Sequence, residues 1–184
     1  MNKKEFKECI IAELKIASNS SFLEKVRNKY ITPNTNCIFL SRKMWYYYEK
    51  GTFGKIISKI LYLKIIRRYG CIIYPSAKVG KGFHIAHPVG IVLGECEIGE
   101  NFKIYQNCTI GTKYAGSGSP KIGNNVRLCS GSEILGNVTI CDNVIIGAHS
   151  LVLKDISEPG TYAGSPVSRK GEIKRWIHKE DVMS

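Results

Sequence analysis

The second half of the chain repeats an aliphatic residue at every sixth position. Thirteen aliphatic residues follow this spacing in two runs that are offset by one residue, and Gly116 occupies the one exceptional position of the second run. The runs are Ile73, Val79, Ile85 and Ile91, and then Ile98, Ile104, Ile110, Ile122, Leu128, Ile134, Ile140, Ile146 and Val152. A period of six is neither helical nor a simple strand alternation. It is typical of a parallel β-helix, in which each short flat strand directs one aliphatic side chain inward.

Residues suited to corners recur between these aliphatic positions. Glycine follows the aliphatic residue in five hexads and reaches corner backbone angles without a Cβ clash; these glycines are Gly80, Gly99, Gly111, Gly123 and Gly147. Asparagine, which favours tight turns, is also frequent between residues 101 and 143. A β-sandwich is the alternative, but its strands alternate with period two. The pattern therefore predicts a mainly β chain, a parallel β-helix with an α-helical N-terminal region.

The first 69 residues lack the period of six and read as helices. Residues 3–17 carry a broad apolar face, and Ser20 and Ser21 can cap a second helix that ends near Tyr30. The turn-rich residues 32–36 predict a break. A third helix then contains residues 39–48 and ends at Gly51, and a fourth covers residues 54–69. We expect three regions, namely a helical region over 1–69, the β-helix over 70–168 and a basic tail over 169–184.

The fourth predicted helix is both basic and very apolar, and it has two interpretations. It could rest on an anionic membrane surface, or it could pack against the β-helix or another subunit. The apolar residues almost encircle this helix, so we favour the packed helix and keep peripheral membrane contact as the alternative.

Composition narrows the class of protein. No apolar stretch reaches the roughly 18 residues that span a bilayer, and the N-terminus leads into an amphipathic segment rather than a signal core, so the expected location is cytoplasmic. Seven cysteines without metal-type spacing predict free thiols in a reducing compartment, with Cys96 and Cys108 as packing residues. The net charge of +12 favours an acidic ligand, but the chain has no nucleic-acid motif.

Residues 112–120 interrupt the hexads with a segment rich in glycine and serine. Such a segment predicts an exposed, mobile loop, and long loops on solenoids usually line the binding face.

The order of short motifs from Cys71 to Lys170 resembles the hexapeptide-repeat acyltransferases, and within them the serine acetyltransferase-like branch. The matching stretches cover residues 75–82, 87–95, 106–111, 134–137, 147–152 and 163–166. The resemblance implies a left-handed β-helix, a homotrimer, and acetyl-CoA as donor without any metal. Two such trimers could also pair through their N-terminal helical regions into a dimer of trimers. The resemblance also implies an active site between neighbouring subunits.

His87 aligns with the catalytic histidine of that family. An alcohol attacks a thioester only when a base removes its proton, and histidine suits this role near neutral pH. His84 is the local alternative for the base. His149 stands where the family has glycine and is a candidate to edge the cofactor channel, and His178 lies in the tail.

The resemblance also supplies candidates for ligand binding. Cations are needed near the phosphates of coenzyme A, and the pantetheine arm of this family follows the backbone of successive coils. The cofactor-binding candidates are Ser130, Gly131, Ala148, Lys154, Gly164, Arg169 and Lys170. The acceptor-binding candidates are Tyr74, Glu95, Gln106 and Tyr114. Of these, Tyr74, Glu95 and Gln106, together with a backbone carbonyl, are also the open alternatives for the group that orients His87.

The chain departs from serine acetyltransferases where they hold charged groups for the amino acid. Ile72 and Ala86 replace acidic residues, and Gly118-Ser119 replaces an Arg-His pair. These losses remove charge-assisted contacts. We therefore expect an O-acetyltransferase that acts on a saccharide hydroxyl of a capsular, exopolysaccharide or O-antigen glycan, which the positive charge would favour if the glycan is acidic. Serine O-acetylation for cysteine synthesis is the main alternative, followed by an antibiotic acetyltransferase and a scaffold or anhydrase-like protein.

Overall fold

The computed structural model describes residues 2–14, 21–26, 30, 32–114 and 116–172. Four helices precede the strands: α1 (Lys3–Glu13), α2 (Phe22–Val26), α3 (Pro33–Tyr48) and α4 (Gly51–Tyr69). The expected end of the first helix, residues 27–29 of the expected second helix, the tail beyond residue 172 and His178 lie outside the described residues.

Two helix boundaries differ from the sequence-based prediction. The turn-rich residues 32–36 form the first turn of α3, because Pro33 occupies the first helical position, where its missing N–H removes no hydrogen bond. Gly51 begins α4 rather than ending α3, and its φ of +71° reverses the chain between the two helices. A Cβ on Gly54 would collide with the carbonyl oxygen of Tyr47, so this glycine allows α4 to approach α3 closely.

Fifteen short strands follow from Ile72 to Gly171, and all but the last pair are parallel. They are β1 (Ile72–Ile73), β2 (Lys78–Val79), β3 (His84–Ile85), β4 (Val92–Leu93), β5 (Glu97–Ile98), β6 (Lys103–Ile104), β7 (Thr109–Gly111), β8 (Lys121–Ile122), β9 (Arg127–Leu128), β10 (Glu133–Leu135), β11 (Thr139–Ile140), β12 (Val144–Ile146), β13 (Leu151–Val152), β14 (Gly160–Ala163) and β15 (Ser168–Gly171).

The strands form three sheets that the chain visits in turn. Sheet A has the order β1-β4-β7-β10-β13, sheet B the order β2-β5-β8-β11, and sheet C the order β3-β6-β9-β12-β14-β15. Each of the first four coils adds one strand to each sheet, and the last coil contributes only the bridge of Ile156 to Ile140 beside sheet B. This makes a parallel solenoid with three edges. The predicted fold class is confirmed: the chain is mainly β, a parallel β-helix with N-terminal helices, as in the left-handed hexapeptide-repeat fold.

Most of the hexad aliphatics stack in register inside the solenoid, and in β4 the stacked residue is Leu93 rather than Ile91, which precedes the strand and is also buried. Ile73 lies beside Leu93, which lies beside Ile110 in the next coil, and Ile98 lies beside Ile122. These side chains are at most 6% exposed. All seven cysteines are free, and Cys96 and Cys108 are buried packing residues, as predicted.

Candidate active site

His87 lies at the edge where the chain passes from sheet C to sheet A, just after β3. Its side chain is exposed. We call this edge the C–A edge. Strand pairing fixes its geometry, because His84 lies beside Lys103 and Ile85 beside Ile104. Extending this register by two residues aligns His87 with Gln106 of the following coil. The corner after His87 is two residues longer than the corner after Gln106, and the N–H of Asn107 donates there to the carbonyl of Val89 at 3.0 Å.

The same register continues along the whole solenoid. Lys103 pairs with Arg127, Arg127 with Ile145, and Ile146 with Tyr162. Extended past the strand ends, these pairings align one residue from each coil. The aligned residues are Gln106, Ser130, Ala148 and Gly164, and together with His87, which the register of β3 adds at the start, we call them the C–A column.

Backbone hydrogen bonds hold the coils of this edge together. The N–H of Gly131 donates to the carbonyl of Gln106 at 3.0 Å, and the N–H of His149 donates to the carbonyl of Ser130 at 3.0 Å. The N–H of Gly164 donates to Ser150 Oγ at 3.1 Å. Gly131 and Gly164 have φ values of +68° and +108°. Successive turns of this edge are therefore fixed relative to one another, as a long ligand would require.

Gln106 carries an unsatisfied polar atom on the same edge as His87. Its Oε1 is buried without a hydrogen-bond partner among the described residues. A buried acceptor without a donor costs free energy, and each such atom in a folded protein requires an explanation. Because the atom is buried, a donor from a ligand could reach it only after the side chain turns toward the C–A edge. Gln106 is still the acceptor candidate that the geometry favours, because it shares that edge with His87.

Tyr105 is a neighbour of His87 that the sequence analysis missed. The two ring centroids are 6.4 Å apart with an interplanar angle of 60°, an edge-on contact. Lys103 Nζ lies 5.3 Å from the centroid of the same tyrosine ring. Tyr105 directly precedes Gln106, as Ala86 directly precedes His87. Only the strand register shows that these two pairs of residues are aligned in successive coils.

The other three acceptor candidates lie on a different edge. Tyr74, Glu95 and Tyr114 follow β1, β4 and β7, so they occupy the edge between sheets A and B. Lys154 follows β13 on this A–B edge. Within one chain, Gln106 therefore shares an edge with His87, whereas these four residues lie on another edge. The loop of residues 112–120 leaves the solenoid on the A–B edge as well.

The two basic candidates near the end of the solenoid lie on β15 of sheet C. Arg169 is already engaged, because it donates to the carbonyl of Pro159 at 3.1 Å and lies 3.7 Å from the Glu158 carboxylate. Lys170 Nζ donates to Ser168 Oγ at 2.8 Å. A phosphate near this strand would compete with a weak exposed ion pair rather than with a buried one.

A separate groove runs along sheet B, with a volume of about 570 Å³. Lys78, Glu97 and Lys121 line it above a floor of glycines. None of the C–A column lines this groove, which lies on the face opposite that edge. Among the described residues, no cluster of three or more metal-ligating side chains occurs.

Comparison with known proteins identifies the six-residue repeat. Residues 119–154 match the family model described as bacterial transferase hexapeptide (six repeats). A serine acetyltransferase of Staphylococcus epidermidis RP62A is 47% identical over 100 residues, which cover 53% of this chain and 47% of the relative. The chain thus spans about half the length of the curated relatives it matches.

Solved structures of serine acetyltransferases resemble a larger share of the chain. The soybean enzyme complexed with serine has a TM-score of 0.77 and 26% identity, over 90% of this chain and 70% of that one. The Brucella abortus S19 enzyme in complex with coenzyme A has a TM-score of 0.76 and 27% identity, over 93% of this chain and 68% of that one.

These similarities overturn the predicted saccharide acceptor and its capsular or exopolysaccharide role, because the matched proteins are serine acetyltransferases. The prediction was wrong because it weighed only the charged groups that are absent at Ile72, Ala86, Gly118 and Ser119. A zwitterion can also be bound by neutral amides and backbone groups, and Gln106 Oε1 is an acceptor of that kind.

Proposed function

We propose that this chain, which carries the hexapeptide repeat of bacterial transferases in a parallel solenoid, is an acetyl-CoA-dependent serine O-acetyltransferase. The observation that carries the proposal is the C–A column. Extended strand register, which aligns the exposed His87 with Gln106 and with the turns at Ser130, Ala148 and Gly164, supports the proposal, as does the unpartnered Oε1 of Gln106. The similarity to serine acetyltransferases supports L-serine as the acetyl acceptor.

In this mechanism His87 acts as general base. It takes the proton from the serine hydroxyl as the oxygen attacks the thioester carbonyl, and a backbone N–H stabilises the developing oxyanion. The C–S bond then breaks, and the imidazolium of His87 returns the proton to the leaving thiolate. Gln106 Oε1 accepts a hydrogen bond from the serine ammonium, a contact that a neutral amide can make in place of the missing carboxylates.

Coenzyme A would lie along the C–A edge, with its pantetheine arm against the turns at Ser130, Gly131, Ala148 and Gly164. Backbone groups suit an arm whose polar groups are amides. Lys170 at the end of sheet C would give up one hydrogen bond to Ser168 Oγ to reach the phosphates, whereas Arg169 would have to leave both Glu158 and the carbonyl of Pro159. Lys170→Ala should therefore weaken coenzyme A binding by a few fold in titration calorimetry. An unchanged affinity would remove Lys170 from the site.

The position of the A–B edge implies an assembly. Tyr74, Glu95, Tyr114 and Lys154 can approach His87 only when they come from a neighbouring subunit. We therefore propose that the chain forms a homotrimer with the A–B edge of one copy against the C–A edge of the next, a closed ring of heterologous contacts. Sedimentation equilibrium tests this, and a monomer at assay concentration would contradict it.

The decisive experiment measures coenzyme A release from acetyl-CoA with L-serine and with a panel of neutral and acidic sugars. We expect turnover that depends on L-serine and falls about 10²–10⁴-fold in His87→Ala. His84→Asn is the matched control because it changes a second histidine on the same turn, and it should retain turnover within about tenfold. Turnover with a sugar but not with L-serine, or full activity in His87→Ala, would overturn the proposal.

A further inference from the structure

Helix α4 exposes a continuous apolar stripe. Phe53, Ile56, Ile60 and Leu63 are separated by three, four and three residues, so they lie along one side of the helix. Phe53 is 74% exposed and Ile60 is 60% exposed. We call these four residues the α4 stripe. Single exposed apolar residues are ordinary, but a contiguous exposed set marks an interaction surface.

The stripe faces away from the rest of the chain. The buried residues of α4 are Gly54, Ser58 and Ile65, which recur at helical spacing on the opposite side of the helix. This side packs against α3 and β1. Helix α4 is thus packed against the chain, as we favoured from the sequence, but only along one face. No other described part of the chain covers the stripe.

The charges on α4 are all positive. The helix contains Lys55, Lys59, Lys64, Arg67 and Arg68 and has no acidic residue between Gly51 and Tyr69. Two of these cations lie over aromatic rings of their own region, Lys55 over Tyr48 at 5.8 Å and Arg68 over Tyr69 at 5.7 Å. Within the described residues, none of the five forms an ion pair with a carboxylate.

Lysines border the stripe on both sides. Lys59 directly precedes Ile60 and Lys64 directly follows Leu63, so each is rotated about 100° from its neighbour, in opposite senses. A long lysine side chain can lie along an apolar surface and place its ammonium at the polar boundary. The arrangement is an apolar strip with cationic margins, which is the composition of a helix that lies in a membrane interface.

The charge distinguishes between two occupants of the stripe. A second copy of α4 would bring five more cations against these five, and like charges at a helix pair destabilise it. An anionic lipid surface supplies both an apolar interior and the opposite charge, and each basic residue near the surface adds to the attraction. We propose that the α4 stripe docks the protein peripherally on an anionic lipid bilayer, with α4 in the headgroup plane. Among the described residues, no helix is long and apolar enough to cross a membrane.

The test is flotation of the full chain with lipid vesicles, in the absence of substrates. Wild-type protein should bind vesicles of about three parts phosphatidylcholine to one part phosphatidylglycerol at least about tenfold better than phosphatidylcholine alone. Raising the salt from about 0.1 M to about 1 M should weaken this binding, because the Debye length falls to about 3 Å.

Three variants separate the contributions of the stripe, the charges and general surface apolarity. Ile56→Asp/Ile60→Asp should lower binding at least about tenfold by removing apolar contact, and Lys59→Glu/Lys64→Glu should do so by reversing two charges. Ile11→Asp is the matched control, because Ile11 lies on α1 and is 56% exposed, as Ile56 is 55% exposed. It should bind as wild type does. Thermal unfolding followed by circular dichroism confirms that each variant folds.

Two outcomes would overturn the proposal. In the first, both double variants fold and bind anionic vesicles as well as wild type. In the second, the stripe variant lowers the sedimentation mass of the protein without changing vesicle binding, which would make the stripe an interface between copies of this chain. Neither outcome depends on the acetyl acceptor, so failure here and failure of the proposed activity are distinguishable.

Discussion

Arg42 and Glu13 form a buried ion pair that joins the helices to the first coil of the solenoid. The Nε of Arg42 lies 2.8 Å from Oε2 of Glu13, and its Nη2 lies 2.5 Å from Oε1. The same guanidinium donates to the carbonyl oxygens of Val79 and Gly80, while Glu13 accepts the N–H of Phe83 at 2.9 Å. Since a solenoid needs a cap at its terminal coil, this pair fixes that cap in place.

Removing one member of this pair should be strongly destabilising. Glu13→Gln leaves the guanidinium of Arg42 buried without a counter-charge, and we expect the free energy of unfolding to fall by about 3–5 kcal/mol. Urea unfolding monitored by circular dichroism measures this loss. Glu8→Gln on the exposed face of α1 is the control and should change stability by less than about 0.5 kcal/mol. Equal losses in the two variants would show that the pair does not anchor the cap.

The solenoid could be predicted from the sequence because its inward positions form a local, regular signal. Ile98 and Ile104 are buried because a spacing of six brings each of them to the inward position of a successive strand. The ion pair of Arg42 and Glu13 could not be predicted in this way. It joins residues 29 positions apart, and the sequence of α1 or α3 does not show that Glu13 and Arg42 are partners.

The C–A column illustrates the same limit at the candidate site. Its members were predicted as a catalytic residue, an acceptor contact and cofactor contacts, but not as one line. The intervals along it are 19 residues from His87 to Gln106, then 24 to Ser130, 18 to Ala148 and 16 to Gly164. The loop within residues 112–120 and the variable corners hide the alignment, which only strand register reveals. Unequal coils likewise concealed that Tyr74 and Glu95 occupy another edge.

His149 is the one positive-φ residue of the described chain that is neither glycine nor asparagine, with φ of +53°. The left-handed conformation costs an ordinary residue roughly 1–2 kcal/mol, and asparagine adopts it more readily. His149→Asn should therefore raise the free energy of unfolding by about 0.5 kcal/mol. The reciprocal change Asn107→His, at φ of +56° on the same edge, should lower it by a similar amount. Thermal unfolding of both variants checks the opposite signs, and two changes of the same sign would contradict the strain.

Cys96 should make the stability of the fold depend on alkaline pH. Burial raises the pKa of its thiol from the ordinary 9.0 to about 12. Between these values the unfolded chain has lost the proton that the folded chain keeps, so stability falls as pH rises. From pH 8 to pH 10 this thiol should account for a loss of about 1 kcal/mol.

Comparison with Cys96→Ala isolates that thiol from the other titrating groups. The variant should lose about 1 kcal/mol less than wild type between pH 8 and pH 10 in urea unfolding. In the folded wild type at pH 8, iodoacetamide should leave Cys96 unmodified while labelling it after denaturation, because only the thiolate reacts. Parallel pH profiles for the two proteins would mean that Cys96 titrates alike in the folded and unfolded chains.

Gln106 offers a test of the acceptor site that separates binding from folding. Its Oε1 is buried without a partner, so Gln106→Leu removes an unsatisfied group and should leave the free energy of unfolding unchanged or slightly higher. The same change deletes the proposed contact to the serine ammonium and should raise the KM for L-serine about tenfold while leaving the KM for acetyl-CoA unaltered. Gln106→Glu keeps an acceptor at this position and should restore the KM for L-serine. A loss of stability in Gln106→Leu with no change in KM would instead make Gln106 a structural residue of the C–A edge.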